Sequence, residues 1–197
     1  MVTTTTTINA RHLCAAIHCA GKNDVRYYPN GVYVEALPDE TRVAATDGIK
    51  LGVFRSATAN PEPFSIIIIP RATVEAFVKL VKGVKFVDLT ITDGTGRLSW
   101  ASDSLLFDPI DARFPQYRRI FPQAPSGETA QFNPELLTAF SKVAKALGAK
   151  ACPEIVHNGS GAALVRINAV HDFAGVLMPF RQPIQTLDVP DVSWASR

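Results

Sequence analysis

Cysteine is scarce in this 197-residue chain, and its three copies, Cys14, Cys19 and Cys152, make an odd set. That excludes a disulfide framework and fits a reducing compartment. Long hydrophobic runs are also lacking: the isoleucine run at residues 66–69 falls far short of a membrane span. The opening residues, Met1-Val-Thr-Thr-Thr-Thr-Thr7, have neither the basic flank nor the apolar stretch of a secretory signal. Net charge is +2 at pH 7, too small to name a partner by itself. What is present is a globular composition, 47% hydrophobic and 19% charged, at a length suited to one or two domains. A soluble cytoplasmic protein with no membrane partner is expected.

Catalytic groupings are lacking as well. Cys14, His18 and Cys19 are close in sequence, but one helix supplies too few placed ligands and no second cluster completes a zinc site. Ser160 with His171 and Asp172 makes a triad on paper, without the strand–turn–helix elbow that exposes a nucleophile. The turns Gly94-Thr-Gly96 and Gly159-Ser-Gly161 lie between strand patterns, as does Asp47-Gly48. They read as hairpins rather than phosphate loops, which must open a helix. No metal, no cofactor and no enzymatic activity are expected.

Three stretches carry helical periodicity. Asn9 caps a helix expected to run to about residue 22, with Ala10, Leu13, Ile17 and Ala20 on one face and Arg11, His18 and Lys22 opposite. A second, over residues 71–82, turns Val74, Phe77, Leu80, Val81 and Val84 one way and Arg71, Glu75, Lys79 and Lys82 the other. A third opens at Asn133-Pro134-Glu135, a cap followed by proline at the first helical position. It buries Leu136, Leu137, Phe140, Val143, Ala144 and Leu147 and shows Lys142 and Lys145. Phe77-Val-Lys79-Leu-Val-Lys82 aligns with Phe140-Ser-Lys142-Val-Ala-Lys145, and lysines 22, 82 and 145 recur at a spacing of roughly sixty residues, a repeat signature.

Strand patterns follow each helix: residues 25–28, 32–37, 42–45 and 50–54, then 86–92, 97–101 and 105–107, then 154–157, 162–169 and 174–180. The fold class is α+β. The repeated unit is a helix plus roughly three antiparallel strands, with a lead-in strand such as residues 65–69. A single amphipathic helix on such a sheet cannot close a core, so units must pair. Three units leave one pair and one orphan.

The small net charge hides a division. Segments 9–22, 70–85 and 133–150 hold nine basic residues against Glu75 and Glu135, which is +7, leaving −5 elsewhere. Three helices of one sign at one register predict a shared basic surface for a polyanion. Its candidate DNA-facing residues are Arg11, His18, Lys22, Arg71, Lys79, Lys82, Lys142 and Lys145. No aromatics interleave with these lysines, which favours backbone contact with duplex DNA over single-strand stacking or base readout.

Residues 113–122, Arg113-Phe-Pro-Gln-Tyr-Arg-Arg-Ile-Phe-Pro122, form a stiff connector with more aromatics and arginines than a linker needs. Together with Asp24-Val-Arg-Tyr-Tyr-Pro-Asn-Gly31, Ala45-Thr-Asp-Gly-Ile-Lys-Leu51, Ile69-Pro-Arg71 and Val176-Leu-Met-Pro-Phe-Arg181, this stretch resembles the bacterial DNA polymerase III β subunit, the sliding clamp family. The similarity covers about residues 8–181, in the family's order. Residues 1–122 resemble the clamp's middle domain, 123–181 only the second half of its last domain, and 182–197 run beyond it as a tail. Within that tail, residues 185–189 loosely resemble a clamp-binding peptide.

The resemblance implies the DNA-clamp fold, with helices on one face lining a DNA-sized hole and sheets on the other. It implies a cleft for short Gln- and Leu-containing peptides of DNA polymerases and other clamp users. Carried over residue by residue, that cleft uses Pro29, Thr46, Gly48, Ile49, Lys50, Leu51, Pro115, Arg119, Ile120, Val176, Met178, Pro179, Phe180 and Arg181. Pro29 stands where the family usually has leucine, and Ile49-Lys50 where it usually has His-Arg. A family ring holds twelve units, so three per chain would need four chains, with the orphan unit meeting its twin across a two-fold axis. The expected function is therefore that of a processivity factor in DNA replication, a homo-oligomeric ring, with a clamp loader as a further candidate partner. The alternative is an interaction module or decoy that binds clamp users without encircling DNA.

Overall fold

The computed structural model describes residues 3–26, 28–60 and 64–180. Arg181 and the tail at 182–197 lie outside the described residues, as does Tyr27 in the first expected strand.

Consecutive threonines open the chain as a strand, β1 (Thr3–Asn9), which no apolar periodicity announces. Threonine is β-branched, and its hydroxyls here form cross-strand rungs. Thr3 meets Thr92 at 3.2 Å, Thr5 meets Thr90 at 3.1 Å, and Thr7 donates to Asp88 at 2.7 Å. Thr6 alternates inward, 2.7 Å from Asn60 Oδ1 and 2.6 Å from the Thr41 hydroxyl.

Asn9 then caps α1 (Ala10–Ala16), its Oδ1 accepting the Arg11 N–H at 3.0 Å. The helix ends six residues short of the expected position. Beyond Ala16, Arg71 takes the carbonyls of Ile17, Ala20 and Gly21, and the Gly21 N–H turns to the Pro29 carbonyl at 2.8 Å. Val25 and Arg26 lie in a turn and Tyr28 starts a short 3₁₀ helix, rather than belonging to the expected strand. The Asn30 side chain accepts the Asp24 N–H at 2.7 Å and donates to the Asp24 carbonyl at 2.6 Å, so local side-chain bonds hold a turn there.

An antiparallel meander follows: β2 (Gly31–Ala36), β3 (Glu40–Thr46) and β4 (Lys50–Ala57). The second unit repeats the plan with β5 (Phe64–Pro70), α2 (Arg71–Leu80), β6 (Phe86–Thr92), β7 (Thr95–Trp100) and β8 (Asp103–Phe107). Asp93 and Gly94, both at positive φ (48° and 88°), make the tight β6–β7 turn. α2 stops at Leu80, so Lys82 sits in the following loop rather than on the helix. The third unit has α3 (Pro134–Leu147), β9 (Pro153–Val156), β10 (Ala163–Ile167) and β11 (Phe173–Leu177). Asn133 caps α3 through the Glu135 N–H at 2.9 Å, as its sequence announces.

The lead-in strands are exchanged. β1 precedes α1 yet pairs with β6, and β5 precedes α2 yet pairs with β2. Units one and two therefore interlock. Unit three departs from the expected plan, having no lead-in strand: Gly127 N–H donates to the His157 carbonyl and Gly159 N–H to that of Glu128, folding the preceding segment back on its own unit. It joins the rest edge to edge through β11 and β4. The result is a four-stranded sheet, β1-β6-β7-β8, and a seven-stranded one, β5-β2-β3-β4-β11-β10-β9. The helices pack on one side of these sheets over a shared core that includes Leu13, Ile17, Phe54, Phe77, Leu89, Phe140 and Leu177, with α1 lying against both α3 and α2.

A polar bridge braces the β4–β11 joint. Buried His12 of α1 donates from Nε2 to Asp172 at 2.9 Å, and its Nδ1 accepts the Ser56 hydroxyl of β4 at 3.1 Å. With the ring neutral, Nε2 carries the proton and Nδ1 is left to accept from Ser56. Asp172 is thus engaged by His12, and the paper triad with Ser160 does not form. Burial holds the His12 pKa below its ordinary 6.5, against the smaller pull of Asp172. The unfolded chain takes up that proton first, so the stability contributed by His12 is complete above about pH 6.5 and is lost as pH falls toward the depressed value. Urea midpoints measured from about pH 7.5 down to about pH 5.5 should fall more steeply in the wild type than in His12→Gln. His12→Ala should cost about 2–4 kcal/mol at neutral pH.

Candidate functional site

Residues 113–122 cross the outer surface of the larger sheet as a strap. Phe114 stacks on Tyr33 of β2 with ring centroids 4.6 Å apart and planes at 15°, and Tyr117 meets the same ring edge-on at 6.2 Å. Glu35 of β2, nearly buried, accepts Arg118 Nη2 on both oxygens at 2.8 and 2.6 Å and the Tyr117 hydroxyl at 3.2 Å. One carboxylate thus fixes the strap, and its own desolvation is offset by those donors.

Beside the strap lies a trough of about 720 Å³. Its floor is Leu51 and Val176, which face each other across the β4–β11 ladder. One wall is the β3–β4 turn. Thr46 donates its hydroxyl to the Lys50 carbonyl at 2.7 Å and accepts the Gly48 N–H at 2.9 Å, while Asp47 Oδ1 accepts the Ile49 and Lys50 N–H groups. Gly48, at φ 91°, completes a turn that pushes Ile49 outward. The second wall is the strap, through Pro115, Tyr117 and Ile120. The third is the chain leaving β11, where Met178 N–H donates to the Ile49 carbonyl and Phe180 N–H to that of Gln131, both at 2.9 Å. Ile49, Ile120 and Phe180 are large apolar side chains left exposed at the rim.

Of the fourteen expected cleft residues, eleven line this trough: Thr46, Gly48, Ile49, Lys50, Leu51, Pro115, Ile120, Val176, Met178, Pro179 and Phe180. Pro29 is buried against Gly21, away from the trough surface. Arg119 turns to a separate depression beside Tyr33 and Arg113. Arg26, Tyr28, Tyr117, Asn133 and Leu136 also line the trough and were not foreseen. Asn133 and Leu136 carry cap and core signals in the sequence, and nothing in their spacing marks a second role.

The rim cations are neutralised at home. Lys50 pairs with Asp47, and Arg26 with Asp24 at 2.6 Å, which holds the Asp24 carboxyl down at about 2. The trough therefore presents apolar surface with balanced charge around it. Burial pushes the Cys19 thiol up to about 12, so it is neutral and unreactive at physiological pH.

On the helical side Arg11, Lys22, Lys79, Lys82, Lys142 and Lys145 are exposed. Arg71 is half-buried, committed to the carbonyls after α1 and to Glu75 at 2.8 Å, so its first role is structural. His18 is half-buried and its pKa is lowered, by burial first and then by the charges of Lys142 and Arg71. Arg71 of α2 and Lys142 of α3 thus both lie close enough to His18, just beyond α1, to disfavour its charged form.

Comparison with known proteins bears on the family and the fold. Residues 7–116 match the family model described as DNA polymerase III beta subunit, central domain. The beta sliding clamps of Proteus mirabilis and Escherichia coli K12 are 33% and 31% identical over 123 residues, 61% of this chain. The chain spans about a third of the length of these curated relatives (34% and 33%). Among solved structures, the beta subunit from Thermotoga maritima has a TM-score of 0.73 at 14% identity, covering 91% of this chain and 66% of that one. The Pseudomonas aeruginosa subunit gives 0.71 at 19%, covering 90% and 66%.

Glu35→Ala should release the strap, costing about 1–3 kcal/mol of docking through its unpaired donors. Limited trypsin digestion should then cut at Arg113, Arg118 and Arg119 faster than in the wild type, with the remaining fragments intact. With helices on one face, exchanged antiparallel strands on the other and a family match over more than half its length, the chain belongs to the DNA polymerase III β-subunit family.

Proposed function

We propose that this chain acts as a sliding-clamp-like processivity factor in the cytoplasm, its basic helical face tracking duplex DNA and its trough holding a short peptide of a DNA polymerase or another clamp user. The observation that carries it is the trough: a preformed apolar groove with a charge-balanced rim, assembled from the first unit, the strap and the third unit. The curated relatives are themselves called beta sliding clamps, and one structural neighbour from P. aeruginosa, at a TM-score of 0.69, was solved bound to griselimycin. In this scheme residues 1–122 form a complete clamp-like domain and 123–181 a half-domain. Four chains would supply the twelve units of a ring.

A second proposal keeps the trough but not the ring. It is favoured by β9, whose four residues begin with Pro153 and include Glu154, exposed and paired with Arg166 of β10 at 2.8 Å, devices that blunt a sheet edge against pairing. The two proposals separate on DNA topology. A ring should be retained on nicked circular DNA and lost on linearisation, whereas a decoy should bind both forms weakly and equally, with the same salt dependence. Trough occupancy is measured independently, by fluorescence anisotropy of a labelled Gln- and Leu-containing peptide with griselimycin as competitor. Ile49→Ala with Ile120→Ala should weaken the peptide by roughly ten- to a hundredfold, the loss of two apolar anchors. An unchanged affinity would remove the trough from the proposal.

A further inference from the structure

The internal repeat gives two versions of the same face, one covered and one bare. In unit three the last strand, β11, lies against β4, and α3 lies against α1. In unit two the last strand, β8, is the outer member of its sheet, and among the described residues nothing pairs with its free side. Matching positions differ accordingly. Leu80 of α2 aligns with Val143 of α3 through the Phe77/Phe140 repeat, and it is 58% exposed where Val143 is 0%. Leu106, the outward residue before the end of β8, corresponds to Val176 of β11. It is 63% exposed where Val176 is 1%. Both leucines are bare at positions that the β4–β11 joint buries in the sister unit. Unlike β9, β8 has no proline, and Leu106 lies on its outer face, so it lacks the protection of a guarded edge.

We propose that β8 and the adjoining face of α2 form a self-association surface, joining the same elements of a second copy about a two-fold axis perpendicular to the sheet. The internal joint shows what such a face accepts: an antiparallel strand with a helix beside it on the same side. On a second copy β4 is already covered by that copy's own β11, β9 is guarded, Ile110 N–H donates to the Ile68 carbonyl of β5 at 2.9 Å, and the Thr58 hydroxyl donates to the Thr7 carbonyl of β1 at 3.4 Å, which leaves β8 as the most open of the four outer strands. Its sequence is self-complementary. Opposed residues in an antiparallel pair share a face, so inward Leu105 must meet an inward residue. With Leu105 on the axis, Asp103 opposes Phe107 and Ser104 opposes Leu106. All five residues are paired, and no like charges stand opposite one another. The isologous contact needs no DNA and no trough ligand, so it stands or falls apart from the clamp proposal.

Sedimentation velocity of the full chain, without DNA or peptide, tests it. The wild type should sediment at twice the 21.3 kDa chain mass or a higher even multiple. Leu80→Lys with Leu106→Lys changes only exposed positions, so circular dichroism should stay native while association weakens by roughly tenfold or more. In a Cys152→Ser background, Ser104→Cys with Leu106→Cys should give a covalent dimer on oxidation, reversed by reductant. A wild type that stays monomeric up to about 100 μM would overturn the proposal, as would a double-lysine variant that associates as the wild type does. Association abolished by Glu154→Pro but untouched by the two lysines would place the joint at β9 and overturn it too.

Discussion

The ladder between β4 and β11 links two units that share no exchanged strand, and much of the functional surface is a consequence of its register. Val176 opposes Leu51 and Leu177 opposes Lys50, so outward Val176 becomes trough floor while Leu177 enters the common core. A slip of one residue would turn every β11 side chain to the other face, sending Val176 inward and Leu177 out. Contacts at both ends hold the register. Met178 N–H reaches the Ile49 carbonyl beyond one end, and at the other Arg55 N–H donates to the Asp172 carbonyl while the Asp172 carboxylate takes the buried His12. The polar bridge costs desolvation, so its clearest contribution is to specify which residue of unit three meets unit one. A purely apolar joint would tolerate neighbouring registers more readily.

Charge is divided with the same economy. The helical stretches carry nine basic residues, but Arg71 closes the end of α1 and Arg11 donates to the Leu147 carbonyl at 3.3 Å. The lysines remain as point charges on solvated side chains. That distribution suits diffuse attraction to a phosphate backbone more than fixed recognition of one group, because lysine lacks the planar fork of arginine. At the trough the opposite holds. Lys50 and Arg26 are each tied to an adjacent aspartate, so a peptide entering there would meet apolar surface first and charge only at the rim.

Local chemistry was legible in the sequence where a residue acts on its neighbours as a helix cap, a tight turn or a repeated face. Asn133-Pro134 marks the start of α3, Asp93-Gly94 the hairpin, and the Phe77/Phe140 repeat the shared helix face. Residues whose role depends on distant partners were not legible. His12 and Asp172 are 160 positions apart, and nothing in either local sequence announces a bond. β1 escaped because its alternation is threonine against threonine, where the side chains differ in burial and not in polarity. The run at 25–28 has the β-branched and aromatic character of a strand, yet flanking Asp24 and Asn30 offer the backbone nearer partners. Eleven trough positions were reached through family resemblance, whereas Tyr28 and Leu136 join the trough only because the chain folds them there.

The repeat also shows why pattern alone cannot assign a surface. Leu80 and Val143 occupy equivalent positions in equivalent helices, and both read as inward-facing. Only Val143 is buried, because α3 lies along a neighbouring helix at a joint, and among the described residues α2 has no such neighbour at that end. Amphipathic periodicity records that a position evolves as apolar, not which molecule covers it. When a repeat is present, its covered copy acts as an internal control for the bare one. An apolar residue exposed at a position buried in its sister unit then marks a missing neighbour more strongly than exposure alone, since isolated surface leucines are common.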